Sequence, residues 1–201
     1  MGAADNLHFK CHCGAVAGEL RDVGPKQGDR YTCYCNDCRD FLRLMDREDA
    51  LDSAGGCSVY QTRVGHLHID KGLDSLACIN LTGGQLLRWY CETCRTPLFN
   101  TMDNGRWPFL SMVTTSIDEE ARDKVLGPPR GSVFAKFATG PDVVTPPVSA
   151  FTMIRRVIAR LFADRFSGAR KGFQLFDPAS AAPIAEPRSP TDEEKQALGR
   201  I

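Results

Sequence analysis

A mainly β protein built from antiparallel sheets, with one long C-terminal helix, is the fold class predicted by three features of the 201-residue sequence. Short β-prone runs alternate with glycine-containing turns along most of the chain. After Ser149 the apolar period changes to three and four residues. Seven of the nine cysteines fall in close groups, a pattern that favours metal staples over scattered core thiols.

Taken in order, residues 7–22 read as strand material interrupted at Gly14, with residues 15–20 alternating apolar and polar-or-small positions. Residues 31–35 form a short β-prone run. Further strands are expected at 58–62, 65–69, 75–81 and 86–90, separated by turn signals at Gly55-Gly56, Lys71-Gly72 and Gly83-Gly84. Two more follow at 109–117 and 132–137. Between them a short helix over 118–126 is expected, because Asp118 can cap it, Glu119 and Glu120 suit its first turn, and Pro128-Pro129 stops it. Ile154, Ile158, Leu161, Phe162 and Phe166 then mark one face of the long helix. This divides the chain into a β domain over 7–140, an amphipathic basic helix over 149–170 packed on or beside it, and a Pro-rich, polar tail over 177–201.

Composition bounds the function. With 25 basic and 25 acidic residues the chain lacks the basic excess of a dedicated nucleic-acid binder, so no nucleic-acid partner is expected. No run approaches the roughly 18 to 20 apolar residues of a membrane span. The first residues show no basic-then-apolar leader, which gives a cytoplasmic location as the expectation. Met1-Gly2 suggests myristoylation, but that pattern wants Ser or Thr where the chain has Asn6.

The cysteines are Cys11, Cys13, Cys33, Cys35, Cys38, Cys57, Cys78, Cys91 and Cys94. Their odd number and close pairing favour metal over disulfides. Cys11 and Cys13, at i and i+2 on a strand, would share a face, and Cys91 and Cys94 flank a tight turn. Together the four make a closed tetrahedral thiolate set of the structural kind, expected to hold zinc. Cys33 and Cys35 repeat the i, i+2 spacing, and Cys38 joins them after a turn at Asn36-Asp37. Three ligands leave a fourth position for substrate, unless Cys57, Cys78, His12, His66 or His68 fills it. His66 and His68 are at same-face spacing and read most simply as a polar strand face; Cys57 and Cys78 read as packed thiols.

Three ordered motifs resemble the family of glutathione-dependent formaldehyde-activating enzymes and centromere protein V. They are Cys-x-Cys-Gly-Ala-Val-x-x-Glu-Leu from Cys11, Cys-x-Cys-x-x-Cys-Arg from Cys33, and Trp-x-Cys-x-x-Cys-x-Thr-Pro-Leu from Trp89; the resemblance spans roughly residues 8–100. It implies an Mss4-like fold of antiparallel sheets and a structural zinc at Cys11, Cys13, Cys91 and Cys94. It further implies a second, open zinc at Cys33, Cys35 and Cys38 with carbon–sulfur lyase chemistry. Arg95 stands where members usually carry glycine; in a left-handed turn a non-glycine residue costs about 1 to 2 kcal/mol. The small residues common after the second motif are replaced by Asp40-Phe41-Leu42-Arg43-Leu44, which implies a reshaped pocket.

The functional expectation is therefore a protein with two zinc ions acting on a small thiol adduct of the S-hydroxymethyl type, glutathione being one candidate thiol. Arg39 is a candidate for holding a substrate carboxylate or balancing the negative charge of a three-thiolate site. Asp37 and Asp40 are the nearest candidate bases. The alternative is a non-catalytic, zinc-stabilised binding module, in which Arg155, Arg156, Arg160, Arg165, Arg170 and Lys171 of the helix region meet an anionic partner.

Overall fold

A computed structural model describes residues 4–200, so Met1-Gly2 and the myristoylation pattern they open lie outside the described residues. Strands β1 (Asp5–Lys10) and β2 (Ala17–Val23) form a hairpin, and β3 (Asp29–Cys33) leads into helix α1 (Asn36–Leu44). Strands β4 (Cys57–Thr62), β5 (Leu67–Lys71), β6 (Leu76–Ile79), β7 (Leu86–Cys91), β8 (Pro97–Met102) and β9 (Leu110–Val113) follow. The chain continues through helix α2 (Glu119–Leu126), the short strand β10 (Ser132–Val133), the long helix α3 (Ala150–Ser167) and helix α4 (Asp192–Ala197). The protein is mainly β, with one sheet ordered β1-β2-β5 and a second ordered β10-β3-β4-β9-β8-β7-β6, in which only the β10-β3 pair is parallel.

The large sheet is covered on both faces. Leu87, Trp89 and Cys91 of β7 enter a core shared with Leu7, Phe9, Leu20 and Ile69 of the small sheet. Tyr90 enters a second core with Phe41, Leu42 and Met45 from α1 and the turn after it. Strand alternation thus assigns the odd residues of β7 to one layer and the even ones to the other.

Several expected elements are displaced. The β-prone run at 31–35 ends as strand at Cys33, because Cys35 caps α1; the Asn36-Asp37 segment is the first turn of that helix and not a free turn. The run at 132–137 is strand for two residues only. Phe134 adopts a left-handed φ of 58° and starts a 3-10 turn. Helix α2 has the expected cap, the Asp118 carboxylate accepting from Ala121 N at 3.0 Å.

Helix α3 presents the opposite face from the one its apolar period suggests. Of the expected stripe Ile154, Ile158, Phe162 and Phe166 are exposed, as is Phe151, and Leu161 is half-buried, whereas Arg156 and Arg160 turn inward onto the buried carboxylate of Asp29, where Arg130 also arrives. Asp164, fully buried, accepts from Arg63 Nε and Val64 N, both at 2.7 Å. The reason is electrostatic: a carboxylate removed from water must be paired, and two such carboxylates outweigh the burial of an apolar stripe.

Beyond α3, Phe173, Leu175 and Phe176 are buried in the first core, and Ala181 is buried as well. Backbone bonds Asn80 N to Arg188 O (2.8 Å) and Arg188 N to Cys78 O (3.1 Å) then lay the chain along edge strand β6, which covers that edge. No helix among the described residues is long and apolar enough to cross a membrane.

Candidate metal centres

The first cysteine cluster forms where the β1-β2 hairpin meets the turn after β7. Strand β1 ends at Lys10, and Cys11 and Cys13 converge through a turn closed by Gly14 N to Cys11 O (2.9 Å), with Gly14 at a φ of 74°. The sharing of one face of a strand, expected from their spacing, is therefore not how they meet. Cys91 closes β7, and its carbonyl accepts from Arg95 N at 2.8 Å across the turn that carries Cys94. The four sulfurs lie within 4.8 Å of one another; Cys11 to Cys13 is 3.5 Å and Cys13 to Cys91 is 3.8 Å. Four thiolates around a tetrahedral ion with metal–sulfur bonds of about 2.3 Å would stand about 3.8 Å apart, so the set fits such an ion. Burial raises the Cys94 thiol, yet hydrogen bonds from Thr96 and Cys13 outweigh it and bring it down to about 5.

Cys33, Cys35 and Cys38 form the second cluster on the other face of the large sheet, again with sulfurs within 4.8 Å. Cys33 closes β3, Cys35 is the N-cap of α1, and Cys38 is in the first turn, with its N–H donating to Cys35 Sγ at 3.4 Å. A helix N-terminus favours negative charge on these sulfurs. The Cys38 thiol is held well below its ordinary value by hydrogen bonds from Cys33 and Cys35 and by the charge of Arg88; Cys33 is pushed well above by its hydrogen bonds with Cys35 and Cys38 and by burial.

Arg88 is the residue that sequence reasoning missed. It is only 4% exposed, and its Nη1 lies 3.6 Å from Cys38 Sγ and 2.8 Å from Asn100 Oδ1. No carboxylate among the described residues is within ion-pair distance of it. The register places Arg88 opposite Asn100, Asn100 opposite Ser111, and Ser111 opposite Gln61, a polar row across β7, β8, β9 and β4. The available signal was one cation in an otherwise apolar strand, Leu86-Leu87-Arg88-Trp89-Tyr90.

This row lies along a cavity of about 280 Å³ that the sulfurs of the second cluster adjoin. Its other walls are apolar, with Val59, Phe109 and Val133 from the sheet side and Met153, Ile154 and Val157 from α3.

Other candidate residues lie elsewhere. Arg39 is buried but donates to Asn36 Oδ1 (2.6 Å) and the Phe137 carbonyl (3.1 Å), which ties α1 to a loop. Asp37 and Asp40 both accept from Arg200, each at 2.7 Å. His66 contacts the Arg21 carbonyl at 2.7 Å, and His68 Nε2 is 3.4 Å from Asp70. Neither histidine, nor His12, belongs to a cluster of potential ligands among the described residues. Cys57 pairs across the sheet with Cys33 but stands outside both clusters, as does Cys78, whose Sγ reaches the Ala185 carbonyl at 3.4 Å.

Fold and sites together define a mainly β protein with two cysteine clusters, on opposite faces of one sheet, each of which could hold a metal ion. The chain belongs to a family of unknown function, DUF6151, whose model matches residues 4–173. None of the curated proteins matches it. Among solved structures it is similar to a Rhodobacter sphaeroides protein, with 21% identity and a TM-score of 0.40 over 56% of this chain and 88% of that one.

Proposed function

We propose that the chain is a two-zinc protein in which one site is structural and the other acts on a small thiol adduct, as a carbon–sulfur lyase of the type found in the glutathione-dependent formaldehyde-activating enzymes. The observation that carries this reading is the asymmetry between the clusters. Cys11, Cys13, Cys91 and Cys94 supply four ligands, a closed set suited to structure. Cys33, Cys35 and Cys38 supply three and adjoin a cavity. A zinc ion held there would favour the thiolate form of a substrate sulfur.

The chain's own residues would set the conditions for this chemistry. Three thiolates and a divalent ion sum to one negative charge, which the guanidinium of Arg88 cancels without any exposed counter-ion. Asn100 fixes that guanidinium from the opposite side. The apolar lining would limit the water that reaches the sulfur, and a drier site strengthens each charge interaction. Asp37 and Asp40 are engaged by Arg200, so neither is assigned a proton.

The alternative, a binding module that uses the basic helix, is less well supported, because Arg156 and Arg160 are engaged by Asp29. Elemental analysis of protein purified without added metal tests the two-site reading. Two zinc ions per chain, falling to one in Cys35→Ser, are expected; a value near one that Cys35→Ser leaves unchanged would overturn it. For the chemistry, proton NMR of formaldehyde mixed with thiols should show adduct formation accelerated by the protein but not by Cys35→Ser. Equal rates with both proteins would refute the lyase assignment.

A further inference from the structure

The geometry points to an apolar thiol, and not glutathione, as the occupant of the cavity beside Cys33, Cys35 and Cys38: its sulfur would lie at the cluster and its carbon end against α3. This inference rests on the proposed reading of that cluster as an open metal site. Two observations carry it. Arg88 is the one charged side chain among the described residues that line the cavity, and it is already engaged by Cys38 and Asn100. Glutathione has two carboxylates and an ammonium group, and any of them that entered this space would find no free partner, at a cost that apolar contacts do not return.

The second observation is the lining itself. Away from the sulfurs, Leu86, Met102, Phe109, Phe134, Ile154 and Val157 line the space, with Leu86, Phe134 and Ile154 at its open rim, and the polar lining residues, Gln61, Asn100 and Ser111, are neutral. Such a wall gains roughly fourfold in affinity for each methylene that it removes from water. A hydrocarbon thiol is rewarded there, and a hydroxyl near the sulfur could bond to the neutral row: Gln61 Oε1 is buried and has no hydrogen-bond donor.

The test uses the full chain loaded with two cobalt ions in place of zinc, and follows the thiolate-to-cobalt charge-transfer absorption as phenylmethanethiol, butane-1-thiol, 2-mercaptoethanol or glutathione is added. Phenylmethanethiol should perturb the spectrum at a concentration at least tenfold below that of glutathione, with butane-1-thiol ahead of 2-mercaptoethanol. If glutathione binds as tightly as phenylmethanethiol, the apolar class is wrong while the open site stands. If no thiol perturbs the bands of fully loaded protein, the open-site reading itself fails. A Val157→Asp variant with an unchanged cobalt spectrum should weaken phenylmethanethiol at least tenfold; unchanged affinity there would overturn the placement against α3.

Discussion

Arg88 meets Cys38 at 3.6 Å from strand β7, with no carboxylate among the described residues at ion-pair distance from it. A buried guanidinium cannot shed its proton, and the sulfurs of the second cluster are the nearest counter-charge, ahead of Asp37. Replacing it therefore tests the cluster without touching a ligand. Arg88→Leu should weaken metal binding at that site by about 10- to 100-fold, the usual effect of removing a group that supports metal ligands. Arg88→Lys should restore part of the loss. Competition against a chromophoric chelator reads both; identical affinities in all three proteins would show that Arg88 acts only in packing.

The clusters should also separate in their effect on folding. Cys91→Ala breaks the set that ties the β1-β2 hairpin to the end of β7, and structural zinc binding is coupled to folding. Loss of a cooperative thermal transition is expected. Cys35→Ser removes a ligand of the other cluster while keeping a good helix cap for α1, so its thermal midpoint should stay close to that of the wild type. Equal damage from both substitutions would refute this division of labour.

How much of this was legible in the sequence depends on how local each signal is. The seven clustered cysteines were readable as two sets because their spacings are short and metal chemistry restricts how they combine. Strand periods and the Asp118 cap were local too. Helix α1 was missed because Asn36-Asp37 is good turn chemistry as well as good first-turn chemistry, and only the cap by Cys35 decides between them. The polar row from Arg88 to Gln61 depends on four strands in register, and pairing between distant segments leaves no mark on any one of them. The orientation of α3 was hidden for the same reason, since its partner Asp29 is more than a hundred residues away.

That orientation gives the third prediction. Asp29 gathers Arg130, Arg156 and Arg160, and Asp29→Asn should release α3 at a cost of about 3 kcal/mol; this is the low end for breaking a buried ion pair, because Arg130 and Arg156 are partly solvated. Limited proteolysis at neutral pH should cut α3 in the variant first. Burial raises the Asp29 carboxyl, but hydrogen bonds from Arg156 and Arg160 outweigh it and hold it below its ordinary value of 3.8. Its stabilising contribution is thus complete above that value and is lost as pH falls through the depressed one. The stability gap between wild type and Asp29→Asn should accordingly close in acid, and a gap that persisted there would count against this account.

Arg95 supplies the last prediction, because it combines strain with a contact. It occupies the left-handed region at a φ of 57° in the turn between Cys94 and Thr96, the position where the resemblance to the formaldehyde-activating family implies glycine. Its guanidinium donates to the Leu44 carbonyl at the end of α1 and pairs with Asp46 at 3.0 Å, so it links the turn of the first cluster to the helix that carries Cys38. The ion pair is exposed and contributes little. Arg95→Ala keeps the strained backbone and loses the link; Arg95→Gly loses the link but relieves the strain. The glycine variant should therefore be the more stable of the two by about 1 kcal/mol, less the extra backbone entropy that glycine loses on folding. Urea unfolding of both variants, each checked for two bound metal ions, measures the difference. An alanine variant more stable than the glycine variant would mean that the turn stores no strain and that Arg95 acts through its contact with α1 alone.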